Sequence, residues 1–208
     1  MQIVDCIQGT EAWFLARAGI PTASEFSTVL AKGKGKSSAE SRTRRTYLLK
    51  LAGERITGKP MVSYSGRHTE RGHEMEPEAR DFYAFLRDVD PVQIGFVRND
   101  IAGASPDSLI GDDGLLEIKT ALPHILGELI LKDQFPPEHR AQTQGQLWVT
   151  GRAWVDIIVY WPGMPPLIKR AERDEAYIGD LAAAVRQFND ELDEIVAKIR
   201  AYGGQEAA

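Results

Sequence analysis

Residues 153–161, AWVDIIVYW, are a β-branched apolar run that Pro162-Gly163 ends, and such a run reads as a central strand. What surrounds it arrives in a definite order. Helical patterns come first: TEAWFLARAG (10–19), begun by Thr10 and ended by Gly19, then TASEFSTVLAKG (22–33), then residues 41–57, stopped by Gly58-Lys59-Pro60. TERGHEMEPEARDFYAFLRD (69–88) lines Ala79, Phe82, Tyr83 and Leu86 along one apolar stripe. The period then shortens. VQIGFVR (92–98), a stretch near 101–110 and GLLEIKT (114–120) read as a three-strand meander around Gly/Asp turns. PPEHRAQTQGQLWVTG (136–151) returns to helix, PLIKRAER (166–173) is a weaker strand, and 174–202 is a long amphipathic helix. This order predicts an α/β sandwich around a small mixed sheet flanked by helices. At 208 residues, one domain with a sizeable core is expected.

Composition removes several classes of function. The longest apolar runs are too short to span a bilayer, and the opening MQIVDCIQG lacks the basic and apolar regions of a secretory leader. Cys6 is the sole cysteine, so an internal disulfide or a multi-cysteine metal centre is excluded, and a cytoplasmic protein is expected. Net charge is −5, yet residues 31–50 carry seven basic residues against Glu40 alone, a net +6 that leaves −11 for the remainder. A basic patch on an acidic body can hold a polyanion locally; the alternative is a solvated, mobile Gly/Lys/Ser loop.

The chemistry concentrates in GASPDSLIGDDGLLEIKT (103–120), which holds Asp107, Asp112, Asp113, Glu117 and Lys119. With Asp112-Asp113 as a hairpin turn, Asp107 faces Ile118 and lies beside Glu117. Strand alternation puts Glu117 and Lys119 on one face and turns Ile118 into the core. Two carboxylates and an ammonium then converge from adjacent strands, a set suited to Mg²⁺ and a phosphate; the alternative is a surface hairpin with solvated charges. Asp112 and Asp113 read as turn residues rather than ligands. His68, His73, His124 and His139 share no metal spacing and read as structural or surface, His73 being the one nearest the site. The four tryptophans read as core or interface.

Pro106-Asp107 with Glu117-Ile118-Lys119 resembles the PD-(D/E)xK nuclease motif. AWFLARAGIPTASEF (12–26), RGHEMEPEARDFY (71–83) and AQTQGQLWVTG (141–151) resemble, in the same order, the lambda exonuclease and YqaJ-like viral recombinase family. The resemblance implies a restriction-endonuclease-like PD-(D/E)xK core over about 66–173, preceded by helices at 10–60 and followed by the helix at 174–202. It implies that Asp107, Glu117 and the Ile118 carbonyl hold Mg²⁺ (Mn²⁺ as a substitute), that Glu76 holds a second ion, and that Lys119 is the catalytic lysine. Gln142 would align water or a phosphate oxygen, with Gln144 beside it. Arg17, Ser24 and Ser105 would form a 5′-phosphate pocket, aided by a helix N-terminus near Ser24. The expected activity is Mg²⁺-dependent 5′-to-3′ digestion of one strand of linear duplex DNA, leaving 3′ overhangs. The resemblance also implies a ring-shaped homotrimer, a single-strand annealing partner and a phage or prophage source in a bacterial cytoplasm. An internally cutting PD-(D/E)xK endonuclease, a non-catalytic DNA-binding module of the same fold and a Ca²⁺-binding domain are the rivals.

Overall fold

The 153–161 run becomes β7 (Trp154–Tyr160), and it lies inside a five-stranded sheet. The computed structural model describes residues 2–33, 41–61 and 67–205. The strand order is β2 (Pro91–Val92), β5 (Ser108–Ile110), β6 (Gly114–Thr120), β7, β8 (Leu167–Glu172). β6 and β7 are parallel and the other pairs antiparallel, so the sheet is mixed, as expected. A parallel pair needs a long crossover, and the chain supplies α5 (Pro123–Lys132) and α6 (Arg140–Thr150) between β6 and β7.

The expected three-strand meander is divided between two sheets. β3 (Phe96–Arg98) and β4 (Gly103–Ala104) leave the main sheet and pair with β1 (Gln2–Val4). Gly95 marks the break from β2: a Cβ there would lie 2.0 Å from the Cys6 carbonyl oxygen, so the chain passes against the N-terminal segment only without a side chain. β1 carried no clear strand signal because it is three residues long and largely exposed.

Among the N-terminal helices, α1 (Glu11–Arg17) is capped by Thr10, whose Oγ1 accepts from the Trp13 N–H, and Gly19 follows at φ +71°. The helix expected over 22–33 is shorter: a 3₁₀ turn (Ala23–Glu25) and then α2 (Phe26–Val29). α3 (Arg42–Thr57) starts at the Ser41 cap and ends at Gly58 in the left-handed region. The Gly/Lys/Ser stretch expected to be a mobile loop lies, at residues 34–40, outside the described residues.

α4 (Arg67–Arg87) packs on the main sheet through only half of its predicted stripe. Ala79 and Tyr83 are buried, whereas Phe82 and Leu86 stay partly exposed. α7 (Glu175–Gln205) buries Leu181, Val185, Phe188 and Leu192 against α3 and α6, and Ile199 emerges at its end. Gly145, in the middle of α6, is a required glycine: a Cβ there would meet the Phe26 ring at 2.3 Å and the Ala23 methyl at 3.4 Å. The helix therefore rests directly on the segment that carries Ser24.

Candidate active site

Gly111, at φ +50°, joins Asp112 and Asp113 in a three-residue turn, which shifts the hairpin by one from the expected register. Ser108 faces Leu116 and Ile110 faces Gly114, so the ladder, continued by the Asp107 N–H to the Leu116 carbonyl at 3.1 Å, sets Asp107 opposite Glu117 rather than Ile118. Asp112 and Asp113 are exposed at the tip.

Glu117 is 2 % exposed and receives three donors. Lys119 Nζ lies 2.6 Å from its Oε1, Gln142 Nε2 donates to the same oxygen at 2.5 Å, and Gln146 Nε2 donates to Oε2 at 2.5 Å. Ile118 turns its side chain into the core and donates its N–H to Asp107 Oδ2 at 2.5 Å. Burial first, then the Glu117 and Glu76 carboxylates, push the Asp107 carboxyl well above its ordinary range, against Lys119 and the Ile118 N–H. Burial alone would lower the Lys119 ammonium; Glu117, Asp107 and Glu76 outweigh it and raise it.

Glu76 is held by Arg80, one helical turn on, and Arg80 Nε also reaches Ser108 Oγ at 3.0 Å. Its charge is felt at Asp107 and Lys119, but among the described residues no group of three or more His, Cys, Asp or Glu side chains is arranged to hold a metal. The donor set still fits Mg²⁺, which commonly takes one or two carboxylates and keeps its remaining waters. A half-buried carboxyl set against two others is the local charge imbalance that a divalent cation relieves.

Ser105, two residues before Asp107, begins a second cluster. Its Oγ accepts from Trp13 Nε1 at 2.9 Å and from Arg17 Nη1 at 3.3 Å. Arg17 Nη2 reaches Thr22 Oγ1 and Ser24 Oγ, both at 3.4 Å, and the guanidinium stacks 4.0 Å over the Trp13 ring. These hydroxyl contacts are long, and phosphate oxygens would be better partners for the fork. Burial lowers the Arg17 guanidinium more than Tyr47, Glu25 and Glu54 raise it. The helix expected to support Ser24 is one turn long, so it adds little dipole. Gln8 Nε2 clamps the Ile94 and Pro106 carbonyls at 2.8 and 3.0 Å, fixing the Ser105–Asp107 link.

Arg17, Ser24 and Ser105 are thus brought together, as are Asp107, Glu117, Lys119 and Gln142. Gln144 does not join them. It is 3 % exposed on the opposite side of α6, donates to the Glu172 carbonyl at 2.8 Å and accepts from the Asp174 N–H at 2.9 Å, which ties β8 to α7. Sequence reasoning missed Gln146, although it stands four residues from Gln142 and so shares its face. It also missed Thr22 in the Arg17 cluster and read Trp13 as core or interface. His139, read as structural or surface, is half-buried; burial and then Lys119 lower its imidazole, against Glu138 and Glu117. His124 is exposed, and the side chains of His68 and His73 lie outside the described residues. No helix among the described residues is long and apolar enough to cross a membrane.

Comparison with known proteins identifies the family and the fold. Among curated proteins none matches. The structure is similar to an alkaline exonuclease (LHK-Exo) from Laribacter hongkongensis, with 32% identity, TM-score 0.84, and 94% of this chain and 99% of that one covered. The same enzyme in complex with dAMP gives TM-score 0.85 at 32% identity over the same shares. A phage related exonuclease from Haemophilus somnus 129PT, at 14% identity and TM-score 0.67 over 86% of this chain and 96% of that one, shares the fold. The fold is of the PD-(D/E)xK type. The model of the YqaJ-like viral recombinase domain matches residues 12–153, most of the chain, and the protein belongs to that family.

Proposed function

We propose that the protein is a metal-dependent exonuclease that digests one strand of linear duplex DNA from its 5′ end and leaves 3′ overhangs for recombination by strand annealing. The observation that carries this reading is the two-residue link between Ser105, in the Arg17 cluster, and Asp107, in the acid cluster. A group that grips a terminal phosphate then sits beside one that can cut the next phosphodiester. The alkaline exonuclease named above, 32% identical over nearly the whole chain, supports an exonuclease activity.

Asp107 and Glu117, with the Ile118 carbonyl, would hold the Mg²⁺ (or Mn²⁺), and Glu76 a second ion. When bound there, such a cation would supply Lewis-acid polarisation of a phosphate and a lowered pKa for a water. Lys119, raised and therefore fully cationic at neutral pH, places its charge where the phosphorane develops. Gln142, on Glu117 Oε1, fixes the carboxylate and orients the attacking water. Arg17 with Ser24, Ser105 and Thr22 binds the 5′-phosphate and sets the starting point.

Phe85, 82% exposed on α4, and Leu131, 89% exposed on α5, support an assembly that covers them, and a ring-shaped homotrimer around duplex DNA is the form proposed. The annealing partner, the cytoplasmic location and the phage or prophage source belong to the same reading. To test the reading, linear and covalently closed duplexes are incubated with Mg²⁺ and the shortened ends mapped. Loss of 5′-labelled termini with intact circles is expected; cleavage of circles would establish the internally cutting alternative, and binding without hydrolysis the non-catalytic one.

A further inference from the structure

Gln146 carries an unresolved expense. Its side chain is 1 % exposed, its Nε2 donates to Glu117 Oε2 at 2.5 Å, and its Oε1 is buried without a partner. A buried carbonyl left without a donor is destabilising. Turning the amide over would not help, because it would set that oxygen against the Glu117 carboxylate. A methionine would fill the same space and remove this orphan, but it would leave the buried Glu117 Oε2 without its donor, so the amide is there for Glu117 rather than for packing. Gln144, two residues away, shows what a structural glutamine looks like here: both its donor and its acceptor are matched by backbone groups.

We propose that Gln146 is a positioning residue that acts through Glu117, setting the plane of the carboxylate so that it presents correctly to a divalent cation. Gln142 and Gln146, one turn apart on α6, hold Oε1 and Oε2 separately, and Lys119 adds to Oε1. Gln142 is half-buried at the opening of the site, whereas Gln146 lies behind Glu117 in the core. The second amide therefore fixes rotation of the carboxylate without reaching a substrate. Partners of this kind behind a metal ligand change metal affinity about 10–100-fold when removed. The inference rests on the metal-dependent reading above.

The test is a calorimetric titration of the DNA-free full chain with Mn²⁺, for wild type, Gln146→Met and Gln144→Met. Gln146→Met is expected to weaken Mn²⁺ binding about 10–100-fold, and its melting temperature in EDTA to fall as well, because the buried Glu117 Oε2 loses its donor. Gln144→Met is expected to lower the melting temperature and leave Mn²⁺ affinity unchanged. In DNA digestion, Gln146→Met is expected to raise the half-saturating Mg²⁺ concentration and to recover turnover at saturating Mg²⁺, which a general distortion of the site would not allow. Mn²⁺ affinity within twofold of wild type overturns the inference. Gln146→Asn, which keeps the amide but falls short of Glu117, is read in the same titration should the methionine variant not fold. Absence of Mn²⁺ binding in wild type overturns the metal-dependent reading itself.

Discussion

Asp107 and Glu117 face each other across the hairpin, yet replacing each by its amide should move stability in opposite directions. Asp107 is half-buried beside two other acids, with an N–H and a lysine in partial compensation. Asp107→Asn keeps an oxygen for the Ile118 N–H and removes the repulsion. At about 5.5 Å, the spacing of facing residues in a ladder, and an effective dielectric of about 20, one like-charge pair is worth roughly 3 kcal/mol. Lys119 screens about half of that, so the substitution should stabilise the metal-free protein by about 1–2 kcal/mol. Glu117 is the reverse case, with donors on both oxygens. Glu117→Gln must turn its own NH₂ toward either Gln146 or the Gln142–Lys119 pair. That strands buried donors and removes the ion pair, at about 2–4 kcal/mol. For a chain of this size each kcal/mol moves the melting temperature by about 2–4 °C. Calorimetry in EDTA should therefore find Asp107→Asn about 2–8 °C above wild type and Glu117→Gln about 4–16 °C below it. Shifts of the same sign for the two variants would refute the assignment of donors. The pH dependence follows. An acid whose folded value is raised is stabilising relative to the unfolded chain at low pH, and that contribution is lost as pH rises through the folded value. Wild-type stability minus that of Asp107→Asn should fall as pH climbs from about 4 toward the raised value, and a flat difference would oppose the reading.

Three further outcomes are expected. Arg17→Ala should erase the preference for 5′-phosphorylated over 5′-hydroxyl ends, read by comparing initial rates on the two linear duplexes. His139 should titrate below the ordinary 6.5 in proton NMR; its depressed value contributes stability above about 6.5 that is lost as pH falls through the folded value, so His139→Gln should reduce the stability loss on acidification. Tyr83→Phe removes the 2.7 Å bond from the phenol to Asp156 but leaves Arg170 on the same carboxylate, so it should cost about 1–2 kcal/mol in urea unfolding with little change in m-value.

The long periodic elements were legible because local pattern and tertiary role coincide. The run at 153–161 reads as an inner strand and is one, and the stretch from 174 reads as an amphipathic helix and packs as one. The division of 92–110 between two sheets was not legible, because it depends on Gly95 passing Cys6 almost ninety residues earlier in the chain, a contact no local window contains. The hairpin register slipped because Asp112-Asp113 satisfies a two-residue turn as well as Gly111-Asp112-Asp113 satisfies a three-residue one; only the left-handed Gly111 distinguishes them. Spacing alone put the acids and Lys119 near one another. That Gln146 rather than Gln144 turns toward Glu117 follows from helical spacing to Gln142, whereas the paired-glutamine motif points to Gln144. Trp13 looked like core because its indole is apolar, and only the fold shows its N–H spent on Ser105.

The bare α-carbon at 145 has a mechanical consequence. Phe26 lies flush on the helix that bears Gln142 and Gln146, and Phe26 directly follows the turn that bears Ser24. The two clusters are therefore jaws of one caliper, their separation set by backbone seated on an aromatic ring rather than by an adjustable loop. If the proposed activity holds, the length of the fragment released at each cut is a dimension of the scaffold, and it should stay constant across substrates and salt even where the speed of cutting does not.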